Sequence, residues 1–170
     1  MIVSFEKKID PYPHWEYLNQ ELNSLIRIVP ERGGLITEWR SNGKELLYFD
    51  KERFLDKDKS VRGGIPILFP ICGDLLDGYL VNGKRYFLKQ HGFARDLPWS
   101  ISLLKDKSGI RLQLSDSKES HAFFPFFFTL LMDVRLKEKA LQIVVKIYNQ
   151  SHYSMPFSFG LHPYFQVSNM

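Results

Sequence analysis

Three short segments carry side chains whose type and spacing suit chemistry. In the first, Arg62 heads the run Arg62-Gly63-Gly64-Ile65-Pro66, and Pro70 closes the stretch. Adjacent glycines let a backbone bend or approach a ligand closely. Pro66 and Pro70 remove two donors, so no central strand is expected here. A guanidinium at the head of such a loop can offer a planar fork to hydroxyls or phosphate. The second segment, Gln90-His91-Gly92-Phe93-Ala94-Arg95, places an imidazole and a cation four residues apart. Imidazole suits proton transfer near neutral pH. In the third, His162 is bracketed by Gly160 and Pro163 within the aromatic stretch Phe157 to Phe165. Each segment also has a plainer account. Arg62 can be a surface arginine on a turn, His91 a structural or exposed histidine, and His162 a buried, hydrogen-bonded histidine in an aromatic core.

The elements that must position these segments read as strands. Leu25 to Val29, Leu35 to Arg40 and Glu45 to Phe49 are short β-type runs, and Asn42-Gly43 lies between the last two. Asn-Gly is a strong hairpin signal because both residues tolerate positive φ. A second Asn-Gly, Asn82-Gly83, joins Tyr79-Leu80-Val81 to Arg85-Tyr86-Phe87. Trp99 to Lys105 and Ile110 to Ser115 flank Asp106 to Gly109, and Phe126 to Lys137 and Leu141 to Gln150 flank Glu138 to Ala140. Leu141 to Ile147 alternates well enough for a half-buried strand. Turn signals recur roughly every 8–12 residues, as in an all-β sandwich or barrel. The only expected helix is one turn over Asp116 to His121.

Composition removes several classes of function. Hydrophobic residues make up 44% and charged residues 25% of the 170, a globular balance that argues against disorder. The net charge of +4 comes without a Lys/Arg run, so nucleic acid is not an expected partner, while phosphate-bearing small molecules remain open. A single cysteine excludes an internal disulfide framework and fits a reducing compartment. Cys72 is expected to be a small buried thiol. The N-terminus lacks an apolar stretch of signal-peptide length, and the apolar run Phe123 to Met132 is interrupted by Pro125. The expectation is a soluble cytoplasmic protein. His14, His121 and His152 lack metal-ligand spacing, and neither a phosphate-binding Gly-Lys-Ser/Thr loop nor a Gly-x-Ser-x-Gly elbow occurs.

Together the three segments resemble the aldose 1-epimerase (galactose mutarotase-like) family, and in particular its hexose-6-phosphate 1-epimerase-like branch. Arg62 to Pro70 is similar to that branch's Arg-Gly-Gly-Ile-Pro loop, and His91 to Arg95 to its His-Gly-Phe-Ala-Arg motif. Asn149 followed by Pro156 to Phe165 resembles the segment ending in Gly-Leu-His-Pro-Tyr-Phe. Gly33-Gly34 to Trp39 and Asn42 to Leu47 resemble the family's first hairpins. The resemblance implies an antiparallel β-supersandwich over residues 1–170, a single domain incomplete relative to the family. It also implies interconversion of α and β anomers of a hexose or hexose 6-phosphate by acid–base ring opening, without metal or organic cofactor. His162 would protonate the ring oxygen, and His91 would hydrogen-bond the sugar and stabilise developing charge. Arg62 and Gln90 would hold substrate, and Arg95, with Arg62, would favour a 6-phosphate.

In the family a sugar-binding Asp and a general-base Glu follow the second histidine, whereas here only Gln166 to Met170 follow Tyr164-Phe165. The sequence is therefore expected to supply the acid half of an acid–base pair. Asp74, Asp77, Asp96 and Glu119 match no family position for the base. A homodimer is expected to cover the sheet edge left open. The alternative functions are a non-catalytic carbohydrate-binding protein and a truncated remnant lacking the catalytic Glu.

Overall fold

The computed structural model describes residues 2–167. Strands β1 (Val3–Lys8), β2 (His14–Asn19), β3 (Ser24–Val29), β4 (Leu35–Ser41) and β5 (Lys44–Glu45) form an antiparallel meander in chain order. Helix α1 (Lys51–Leu55) follows, then β6 (Ile67–Leu68) and the hairpin β7 (Tyr79–Val81) and β8 (Lys84–Tyr86). A second sheet holds β9 (Ser100–Leu103), β10 (Ile110–Ser115), β11 (Phe128–Lys137) and β12 (Ala140–Asn149), in the order β12-β11-β10-β9. The single turn α2 (Lys118–His121) sits between β10 and β11, and β13 (Gly160–Leu161) pairs with β6. All pairings between named strands are antiparallel.

Alternation decides which face each strand buries. On β10 and β11, Leu112, Leu130 and Met132 are buried and pack in one core with Tyr17, Ile26 and Ile28 of the first sheet. The two sheets therefore lie face to face, the sandwich expected from the sequence. The opposite face of the second sheet carries the Arg111↔Asp133 pair, directly opposed across β10 and β11. Two guanidinium nitrogens, Nε and Nη2, donate to the carboxylate, at 2.6 and 2.8 Å. The Arg111 hydrogen bonds outweigh desolvation and hold the Asp133 carboxyl below its ordinary range. A depressed carboxyl adds stability above its unfolded value of about 4 and loses it as pH falls through the folded value. Asp133→Asn should therefore flatten the acid limb of stability against pH, and urea melts between neutral and acid pH measure it.

Several elements depart from expectation. The strand expected over Glu45 to Phe49 is regular only at Lys44–Glu45. Beyond it, Leu47 and Phe49 make isolated bridges to Phe165 and Gly63, because this backbone is shared with two irregular segments. Ile67 and Leu68 do form a strand between the two prolines, limited to two residues. β1, β2 and α1 had no sequence expectation. α1 starts where the Asp50 side chain accepts the Arg53 N–H at 2.9 Å, an N-cap. Phe54 then anchors it against Tyr12, Val29 and Leu35. Among the described residues no helix is long and apolar enough to cross a membrane.

Candidate functional site

One segment, Arg62 to Pro70, organises the site. On one side the Asp50 N–H donates to Arg62 O at 2.9 Å and the Gly64 N–H to Tyr48 O at 2.8 Å. On the other side the Tyr164 N–H donates to Gly64 O at 2.9 Å and the His162 N–H to Pro66 O at 3.0 Å. Arg62 and His162 thus stand on neighbouring stretches of backbone. At the far end Phe69 O accepts the N–H groups of Phe93 and Ala94, at 2.9 and 3.1 Å. That contact fixes the turn bearing His91.

Gly64 shows why this weave needs glycine. Its φ is +67°, and a Cβ would stand 2.4 Å from Ile36 O, a backbone atom that cannot swing aside. Gly64→Ala should cost roughly 1–3 kcal/mol, by strain at positive φ and displacement of the β4 contact. A lowered urea midpoint at unchanged slope is the expected reading.

Arg62, Gln90, His91, Arg95, His162 and Tyr164 all line one cleft of about 880 Å³. That volume lies within the range of small-molecule sites, roughly 300–1,000 Å³. The His91 and His162 rings have centroids 6.4 Å apart, and Tyr164 packs on His162 at 4.9 Å. His162 and Arg62 are exposed and His91 is half-buried, so the buried-core account of His162 does not hold. His91 sits at φ +65°. Its Nδ1 accepts the Gly73 N–H at 2.9 Å, and its own N–H donates to Gly73 O at 2.8 Å. Gln90 donates through Nε2 to Asp74 at 3.1 Å, and Arg95 donates to Gln90 O at 2.8 Å.

Part of the lining comes from α1 and the loop after it, through Phe54, Lys57 and Lys59. The cleft is lined by five cations (Arg32, Lys57, Lys59, Arg62, Arg95) and two carboxylates (Glu31, Asp96), a positive excess of three. Such a rim attracts anionic ligands. Burial pushes the phenol of Tyr12, another lining residue, above its ordinary range, and its hydroxyl donates to Thr37 Oγ1 at 2.9 Å. Lys57, Lys59, Glu31 and Arg32 were not expected at the site. The available signals were Asp50 as an N-cap and the charged run Asp56 to Lys59 just before Arg62. Cys72 is exposed, correcting the expectation of a buried thiol, because its turn lies at the surface beside Ser158. Among the described residues no group of three or more His, Cys, Asp or Glu is placed to hold a metal ion.

The sequence profile of the aldose 1-epimerase family matches residues 21–170, a stretch that includes Arg62, Gln90, His91, Arg95, His162 and Tyr164. The chain belongs to the aldose 1-epimerase family. Among aldose 1-epimerase-like relatives, a candidate glucose-6-phosphate 1-epimerase of Cenchrus ciliaris is 33% identical over 150 residues, covering 81% of this chain and 43% of the relative. Another candidate glucose-6-phosphate 1-epimerase, from Escherichia coli K12, is 29% identical over 143 residues, covering 82% and 44%. The chain thus spans less than half the length of these relatives. Of solved structures, a Synechocystis sp. PCC 6803 protein is 44% identical with a TM-score of 0.84, over 97% of this chain and 57% of that one. A galactose mutarotase-like protein of Lactobacillus casei is 30% identical with a TM-score of 0.72, over 85% and 48%.

Proposed function

We propose that the cleft binds a hexose or hexose 6-phosphate and that its imidazoles serve the interconversion of α and β anomers. The observation that carries this reading is the convergence of Arg62, His91 and His162 on one cleft, with imidazole centroids 6.4 Å apart. Two imidazoles so close can address adjacent oxygens of one sugar ring. His162 gives a proton to the ring oxygen as the C1–O bond breaks, and a base takes the C1 hydroxyl proton. Rotation about C1–C2 and reclosure deliver the other anomer. His91 bonds the sugar and stabilises charge on oxygen as it develops. Arg62 and Gln90 hold hydroxyls, and Arg95 with Arg62 receives the phosphate of a 6-phosphate. The positive excess around the rim supports the phosphorylated substrate.

Polarimetry of freshly dissolved α-glucose and its 6-phosphate tests this reading. Faster decay of rotation than in buffer is the expected result, and decay at the buffer rate from folded protein contradicts it. Calorimetric heat without acceleration would instead identify a sugar-binding protein. We also propose that a second copy pairs with β12, a ten-residue strand at the edge of its sheet. Sedimentation at micromolar concentration should then give a dimer, and a monomer would refute the pairing.

A further inference from the structure

The turn from Ile71 to Leu75 is exposed or half-buried and belongs to no strand or helix, yet it touches both imidazole-bearing segments. On one side the Cys72 N–H donates to Ser158 Oγ at 2.8 Å, two residues before β13. The Cys72 sulfur lies 2.9 Å from where a Cβ on Gly160 would stand, so turn and strand are in close contact. On the other side, Gly73 and His91 exchange two hydrogen bonds. The His91 N–H donates to Gly73 O, and the Gly73 N–H donates to His91 Nδ1. Asp74 adds a third tie by accepting from Gln90.

The bond to Nδ1 has a chemical consequence. A backbone N–H can only donate. Nδ1 must therefore present its lone pair to Gly73, and the neutral ring carries its proton on Nε2. Partners on one ring nitrogen set what the other can do. We propose that Gly73 is a positioning residue of the site: its peptide N–H locks His91 in the Nε2–H tautomer, so that the cleft meets a hydrogen-bond donor. His91 then serves an oxygen that gains negative charge, and it is not the group that removes a proton from neutral substrate. The same lock selects a ligand offering a lone pair at that point. Gly73 can hold this geometry because its φ is +102°, a backbone conformation that other residues seldom adopt. The identity of the ligand rests on the sugar reading above; the tautomer does not.

Nitrogen-15 spectroscopy of the full chain, labelled at backbone and histidine nitrogens, tests the proposal with the rings neutral. His91 is assigned by the signal lost in His91→Asn, a residue that tolerates positive φ. The expected spectrum shows a proton on Nε2, a bare Nδ1, and scalar coupling across the hydrogen bond between the Gly73 amide nitrogen and Nδ1. A proton on Nδ1, or no coupling, overturns the proposal. Gly73→Ala adds a Cβ that meets no atom within 4 Å but strains the turn. In that variant the coupling should be lost and the two tautomers should mix. An unchanged His91 signal would overturn the role of Gly73. Neither readout needs a sugar, so the outcomes separate. Anomer exchange with His91 protonated on Nδ1 defeats the positioning role alone. A locked Nε2–H without exchange defeats the epimerase reading alone.

Discussion

His162→Asn should slow catalysed anomer exchange by roughly 10²–10⁴-fold, the usual worth of a positioned general acid, while the fold stays intact. The two parts of that expectation have separate physical grounds. Residue 162 is held through its backbone, whose N–H reaches Pro66 O at 3.0 Å just after the β13–β6 pairing. An asparagine keeps that bond. The imidazole itself is exposed and packs only on His91 and Tyr164 among the ring contacts, so its removal opens no core cavity. Saturation transfer between the anomeric protons of glucose 6-phosphate measures the rate, and a thermal melt followed by circular dichroism measures the fold. A large rate loss with an unchanged melt matches a proton donor. Parent-like exchange in the variant would remove His162 from the chemistry.

Phe69→Ala should destabilise the protein by about 3–5 kcal/mol, the range for truncating a buried aromatic in a packed core. Phe69 is fully buried and lies 5.3–6.0 Å, ring to ring, from Phe93, Phe124, Phe128 and Phe157. Its carbonyl meanwhile holds the Phe93 and Ala94 amides. One residue therefore ties the centre of the core to the His91 turn. Denaturant melts give the stability loss. Hexose affinity in the folded fraction should weaken as well, because the vacated space borders the ring of Phe93, two residues after His91. A loss below about 1 kcal/mol would mean that the neighbouring rings close the cavity at little cost.

The features legible in the sequence were those whose physics is local. Asn42-Gly43 and Asn82-Gly83 announced their turns, and each adopts positive φ. Turn signals bounded the runs holding Leu112, Leu114, Leu130 and Met132, so β10 and β11 could be placed, and the alternation of Leu141 to Ile147 marked β12 as half-buried. β2 could not be, because its period is masked by buried polar residues. Glu16 is 5% exposed but bonded to Lys8 at 2.6 Å and Arg27 at 3.1 Å, and His14 is fully buried. Burial alone would raise the Glu16 carboxyl, yet these two partners hold it below its ordinary range. α1 was illegible because five residues carry too little periodicity, and its anchor, Phe54, acts through contacts with Tyr12 and Phe49.

The site shows the same division. Arg62, His91 and His162 could be singled out by type and by neighbouring glycines and prolines. Their convergence could not be derived from spacing, because it depends on bonds between Gly64 and Tyr164 and between Phe69 and Phe93. The cationic wall from Lys57 and Lys59, and the tie between Gly73 and His91 across 18 residues, were likewise beyond local pattern.

The most direct test of the central claim follows the five histidine side chains by NMR while glucose 6-phosphate is added. His91 and His162 line the cleft; His14 is buried in the first sheet, and His121, on α2, is bonded to Asp116. The expected result is saturable shifts confined to His91 and His162, with the same midpoint for both. Shifts elsewhere with those two silent, or no shift at any sugar concentration, would contradict a sugar site at this cleft.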